Sequence, residues 1–220
     1  MSPQSVQEDQ KKRIIELEDY LFFQERNDIR AKYQEESERA RNTNDCAVAA
    51  YLKSTSGCNL GVPFFLSEKQ KAKAAIIEER ILQDVADMKA SHCWQIVASA
   101  LLKHQNEVVE HFIPKLGYAL NAQGFPYKAE KPHPVKNHST LLHISLLADN
   151  MDGAGMLMLA GADFKGKYND PRSEASPLTP EEDFQNKRDY PPISAEDFAV
   201  ILHRPALRVA SSDGKTPAFV

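Results

Sequence analysis

Cys46 opens an apolar helical run, CAVAAYL, directly after Asn44-Asp45. A thiol at a helix N-terminus meets unsatisfied N–H groups and the positive end of the helix dipole. Both favour thiolate and therefore nucleophilic attack. The base for such a nucleophile would come from His92, His104, His111, His138 or His143. The residues flanking Cys46 carry no protease signature, and a small thiol on an apolar helix is far more often a core side chain. A cysteine-dependent hydrolase with Cys46 as nucleophile is therefore the runner-up reading. His133, His138 and His143 lie five residues apart, but a zinc site needs convergent ligands, generally with cysteines among them. His104 and His111 fall across an expected interhelix turn. No P-loop or dinucleotide-binding glycine pattern is present. Glu78-Glu79 and Glu181-Glu182-Asp183 read as solvated faces. The chemistry-bearing residues thus predict no catalytic set, no cofactor and no metal.

Composition narrows the class further. The 220 residues are 42% hydrophobic and carry a formal net charge of −4, which disfavours nucleic acid as the main partner. No window approaches the eighteen or so apolar residues of a membrane span. The polar amino terminus does not read as a secretory signal peptide. Three cysteines without a CxxC pair suit a reducing compartment, so the expected location is cytoplasmic.

The elements that would position any site begin with a long helix over about 5–42, a stretch without Gly or Pro and rich in charge. Ile14, Ile15, Leu17, Leu21, Phe22, Ile29 and Tyr33 supply its apolar face. Residues EESERAR after Tyr33 read as polar all round. Polar residues interrupt the seam within three heptads, so one packed helix is favoured over a coiled coil. Self-association through residues 8–34 is the other alternative function, a helical scaffold. A second helix is expected over about 68–90. Ser67 and Gln70 form its capping box, and Ile77, Ile81, Val85 and Met88 recur at spacings of three and four.

The second half carries a different pattern. In residues 139–163, STLLHISLLADNMDGAGMLMLAGAD, Thr140 is placed as an N-cap and Asp149-Asn150 as a turn. Gly161 is placed as a left-handed C-cap. The stretch resembles one ankyrin repeat, with His143 standing at the histidine of the Thr-Pro-Leu-His motif. Leu141 replaces the proline, and Ser145 and Leu146 replace two alanines. The resemblance makes His143 structural and implies stacked pairs of antiparallel helices. Gln95–Ala122 resembles a preceding unit, with His104-Gln105-Asn106 as its turn and Val108, Val109, Phe112 and Ile113 inward. Leu116-Gly117 would end its second helix. A third unit is expected over 176–204, with Ala195–His203 as its second helix, capped by Ser194. Residues 205–220 read as a flexible tail.

Forty-four residues separate Gly117 from Gly161, about eleven more than the ankyrin period of about 33. The excess falls in Gln123–Asn137, QGFPYKAEKPHPVKN, where the resemblance implies a projecting finger that touches a partner. The expected partner-binding residues are Phe125, Tyr127, Lys128, His133, Lys136 and His138, extended by Tyr168 and Asn169 of the next finger. The expected fold is all-α: a helical region over 1–90, then ankyrin-like repeats over 91–204 (about 95–122, 139–166 and 176–204). The expected function is non-enzymatic protein–protein interaction by a monomer or weak dimer without membrane insertion. Divergent ankyrin proteins include bacterial effectors, so delivery into a host cytosol fits the resemblance equally.

Overall fold

Residues 92–102 hold no Gly or Pro, and their apolar positions follow helical spacing without a break. In a computed structural model, which describes residues 3–56, 65–122, 124, 140–168 and 193–202, α3 accordingly runs unbroken over Glu68–Leu102. The helix expected over 68–90 and the first helix of the Gln95–Ala122 unit are one element. The other helices are α1 (Pro3–Asn42), α2 (Cys46–Thr55), α4 (Asn106–Phe112), α5 (Leu141–Leu147), α6 (Met151–Leu159) and α7 (Ala195–Ile201). Two residue pairs, β1 (Lys167–Tyr168) and β2 (Ile193–Ser194), form a short antiparallel ladder. The described residues are thus mostly helical. They divide into two compact units, Ile15–His92, and Met1–Ile14 with Cys93–Val220.

In the unit Ile15–His92, the apolar core joins Tyr33 and Ala40 of α1, Val48, Ala49 and Leu52 of α2, and Ala74, Ile77, Ile81 and Val85 of α3. The capping box forms: the Ser67 amide donates to Gln70 Oε1 at 3.0 Å, and the Gln70 amide to Ser67 Oγ at 3.4 Å. Charged pairs run antiparallel between α1 and α3: Glu25 with Lys89 at 2.8 Å, Lys32 with Asp84 at 3.0 Å, and Glu36 with Arg80. The Glu25 and Lys32 pairs are partly exposed and contribute about 0–1 kcal/mol each, so they fix register more than stability.

Two expectations for α1 need correction. Leu21 and Tyr33 are buried, but Ile15 and Phe22 are more than half exposed. The stretch read as polar all round buries Glu36, Ser37 and Ala40. The cause is α2, which folds back along that end of α1, with Ser37 Oγ donating to the Ala49 carbonyl at 2.8 Å.

Glu78 accepts from two phenols, Tyr33 at 3.4 Å and Tyr51 at 3.0 Å. Burial pushes both phenols above their usual range, and the Glu78 charge adds to the shift. Lys32 is also raised, chiefly by its hydrogen bond to Asp84. All three groups keep their protons longer folded than unfolded. Their stabilisation is complete below the unfolded values, 10.0 for the phenols, and is lost as pH rises through the folded ones. The urea midpoint is therefore expected to fall above about pH 10, less steeply in Tyr51→Phe, which removes one titrating phenol. An equally steep fall in that variant would contradict the assignment.

One turn recurs three times. Asn44, His104 and Asp149 have φ of 59°, 53° and 57°, the left-handed region that Asn, Asp and His tolerate better than most residues. In each case the next residue's amide reaches back five residues: Asp45 to Ala40, Gln105 to Ala100 and Asn150 to Ser145, all at 2.9 Å. That next residue stands at the N-cap of the following helix. The result is three helical hairpins, α1–α2, α3–α4 and α5–α6. At α4 the Gln105 side chain makes no cap bond, and Gln10 of α1 accepts from the Glu107 amide instead, at 3.1 Å. α4 stops at Phe112, before Leu116-Gly117, because Pro114 disfavours α-helix at the residue before it. Two 3-10 turns follow, Ile113–Lys115 and Gly117–Asn121.

In the unit containing Cys93–Val220, α6 packs on both α4 and α5, and α7 packs on α5. Thr140 caps α5 and Ser194 caps α7 with nearly the same backbone, φ −77° and ψ 164° against φ −78° and ψ 158°. The helix expected over Ala195–His203 forms over Ala195–Ile201, capped by Ser194 as expected. Phe198 is fully buried, with its ring centroid 5.6 Å from that of His143. The Ser176–Thr179 motif, most of the expected third unit and the tail lie outside the described residues.

Candidate protein-binding edge

Two long segments of chain separate successive elements of this unit. Residues 123–139 connect Ala122 to Thr140, the cap of α5; residues 169–192 connect Tyr168 to β2 and Ser194, the cap of α7. Each lies between the exit of a helical hairpin and the next hydroxyl cap.

Side-chain hydrogen bonds hold the two exits together. Trp94 Nε1 donates to the Ala122 carbonyl at 3.3 Å. Asn121 spans to the next hairpin, donating to the Gly161 carbonyl at 3.4 Å and accepting from the Asp163 amide at 2.7 Å. Asp163 Oδ1 then accepts from the Lys165 and Gly166 amides at 3.0 and 2.8 Å, which bends the chain toward β1. The Glu196 amide donates to the Phe164 carbonyl at 2.9 Å, and β1 pairs Lys167 with Ser194 and Tyr168 with Ile193. Asn121 thereby ties the exit of one hairpin to the exit of the next. Tyr118, on the 3-10 turn leading to Asn121, is 63% exposed there.

Behind this edge the two hairpins are locked. Asn150 is 2% exposed and uses both ends of its amide. Its Nδ2 donates to the Leu101 carbonyl at 3.1 Å and to Asn106 Oδ1 at 2.9 Å, and its Oδ1 accepts from the Gly153 amide at 2.9 Å. His104 Nε2 meets the Ala148 carbonyl at 2.9 Å. Gly153 lets α6 approach α3, since a Cβ there would lie 2.5 Å from Leu101 Cδ2. His143 is fully buried, its Nδ1 2.7 Å from Thr140 Oγ1. That contact ties the ring to the cap of its own helix.

Of the expected binding residues, Tyr168 is the last residue of β1. Phe125, Tyr127, Lys128, His133, Lys136, His138 and Asn169 lie outside the described residues. Asn121 and Tyr118 were not singled out from sequence as part of a site.

Cys46 is exposed at the first residue of α2, and Cys93 is buried; Cys58 lies outside the described residues. Asp45 occupies the cap beside Cys46, accepting from the Val48 amide at 3.4 Å and pairing with Lys73 at 2.8 Å. The hydrogen bond from Lys73 holds the Asp45 carboxyl below the usual carboxylate range, aided by the Val48 amide. His92 Nε2 is 3.3 Å from Asp28 Oδ2, and His111 Nε2 is 3.3 Å from Lys115 Nζ. Among the described residues, no group of three or more His, Cys, Asp or Glu side chains converges to hold a metal ion, and no helix is long and apolar enough to cross a membrane.

No protein-family model matches the chain, and no curated protein or solved structure does either.

Proposed function

We propose that this chain is a non-enzymatic protein-interaction module. In this reading its second half is a degenerate ankyrin stack and its long inter-hairpin connections are the binding fingers. The supporting observation is the bridge by Asn121 between the exits of successive hairpins, just before residues 123–139 on one side and at Gly161 and Asp163 on the other. Phe125 and Tyr127 are the anchors, because aromatic side chains give large contact area at low entropic cost. Lys128, His133, Lys136 and His138 supply the polar rim, and Tyr168 with Asn169 extends it. The partner is a protein, met in a reducing, cytosol-like compartment.

Affinity purification with mass spectrometry tests this reading, comparing the full chain with one whose residues 125–137 are replaced by a short Gly-Ser linker. Partner capture is expected to disappear while the thermal midpoint stays within about 2 °C, because a surface-loop change rarely exceeds about 0.5 kcal/mol. Capture of the same partner by the replacement chain overturns the reading.

A further inference from the structure

α1 presents an exposed stripe within the unit Ile15–His92, formed by Ile15, Asp19, Phe22, Phe23, Arg26 and Arg30. Spacings of three, four and seven residues put these positions on one side of the helix, while neighbouring Leu21 is buried. Ile15 and Phe23 are each 63% exposed and Phe22 is 57% exposed. The two rings meet edge to face, with centroids 6.2 Å apart, and the Arg26 guanidinium lies 5.6 Å from the Phe22 ring centroid. Adjacent aromatic rings held in this way, ringed by charge, have the make-up of a contact surface.

The order of charges selects the occupant. Asp19 and Arg26 stand symmetrically on either side of the Phe22-Phe23 pair. A parallel copy of α1 would set Asp19 on Asp19 and Arg26 on Arg26. An antiparallel copy, with the two-fold axis passing between residues 22 and 23, sets Phe22 against the copy's Phe23. It also sets Asp19 against the copy's Arg26, twice by symmetry. We propose that α1 pairs with α1 of a second copy of this chain in that antiparallel register. A two-fold interface must be self-complementary in this way, and the sequence of the stripe meets that condition.

The size of the contact sets its strength. At these exposures four phenylalanine rings remove roughly 500 Å² of apolar surface from water. Even with its polar rim, that places the interface at the low end of stable contacts. The dimer is therefore concentration-dependent. The inference rests on α1 alone and is independent of what the second half binds.

Sedimentation velocity of the full chain, from low micromolar to about millimolar concentration, is expected to show a reversible monomer–dimer shift. Phe22→Glu with Phe23→Glu is expected to leave a monomer with an unchanged helical circular-dichroism spectrum, since both side chains are largely in solvent. Asp19→Arg alone and Arg26→Asp alone are each expected to weaken dimerisation about tenfold by setting like charges in contact. The double variant Asp19→Arg/Arg26→Asp is expected to restore it. A chain monomeric at every concentration overturns the proposal and leaves the stripe to a different partner or to solvent. A dimer indifferent to the Phe22/Phe23 change, or a charge swap that fails to restore dimerisation, overturns it equally.

Discussion

Asn150→Ala is expected to destabilise the unit containing α5 and α6 by about 3 kcal/mol, read as a lower urea midpoint. Three losses coincide in this one side chain. The Gly153 amide loses its cap acceptor, which alone costs about 1 kcal/mol. The Leu101 carbonyl, left with the His104 amide at 3.2 Å, and the half-buried Asn106 Oδ1 lose their shared donor, two hydrogen bonds worth about 1 kcal/mol each. Asn150→Asp separates the contributions, because it keeps the cap acceptor and removes the donor. It is expected to recover little of the loss, since a carboxylate then faces the Leu101 carbonyl and Asn106 Oδ1. A midpoint within error of the parent chain for Asn150→Ala would mean that Asn150 does not hold the hairpins together.

Gly153→Ala carries the second large effect, and its sign runs against helix propensity. Alanine in a helix interior is favoured over glycine by about 1 kcal/mol. Here the added methyl would stand 2.5 Å from Leu101 Cδ2 and 3.0 Å from Asn150 Cγ, and Leu101 is itself fully buried. Overpacking at such a contact costs about 1–3 kcal/mol. The net expectation is a loss of up to about 2 kcal/mol, growing for Gly153→Val. Leu101→Val, which removes the clashing methyl, is expected to offset part of that loss in the double variant. A stabilised Gly153→Ala chain would show that propensity outweighs the close approach of α6 to α3.

The sequence disclosed its local chemistry well and its tertiary choices poorly. Thr140, Ser194, the Ser67–Gln70 box, the His104-Gln105-Asn106 turn and the left-handed Gly161 each act over three or four residues. The physics of a cap or turn is complete within such a window. The fate of Ile15 and Phe22 was not legible, because which side of α1 is covered depends on where α2 and α3 pack. Glu36 and Ser37 read as solvated for the same reason: Glu36 pairs with Arg80 of α3, and Ser37 bonds to the Ala49 carbonyl of α2. In the candidate site, Thr140, His143 and Gly161 were readable as framework, each being locally determined. Asn121 is different, since its bonds reach Gly161 and Asp163, about forty residues away. A preference for that asparagine has no local cause.

In the proposed function the hairpins form the framework and residues 123–139 bind the partner. The direct measurement is the affinity of the captured partner for purified Phe125→Ala/Tyr127→Ala chain, by biolayer interferometry, beside the parent chain. Affinity is expected to be at least about tenfold weaker, about 1.4 kcal/mol, with the urea midpoint unchanged. Unchanged affinity, with the partner still held by the double variant, would contradict it.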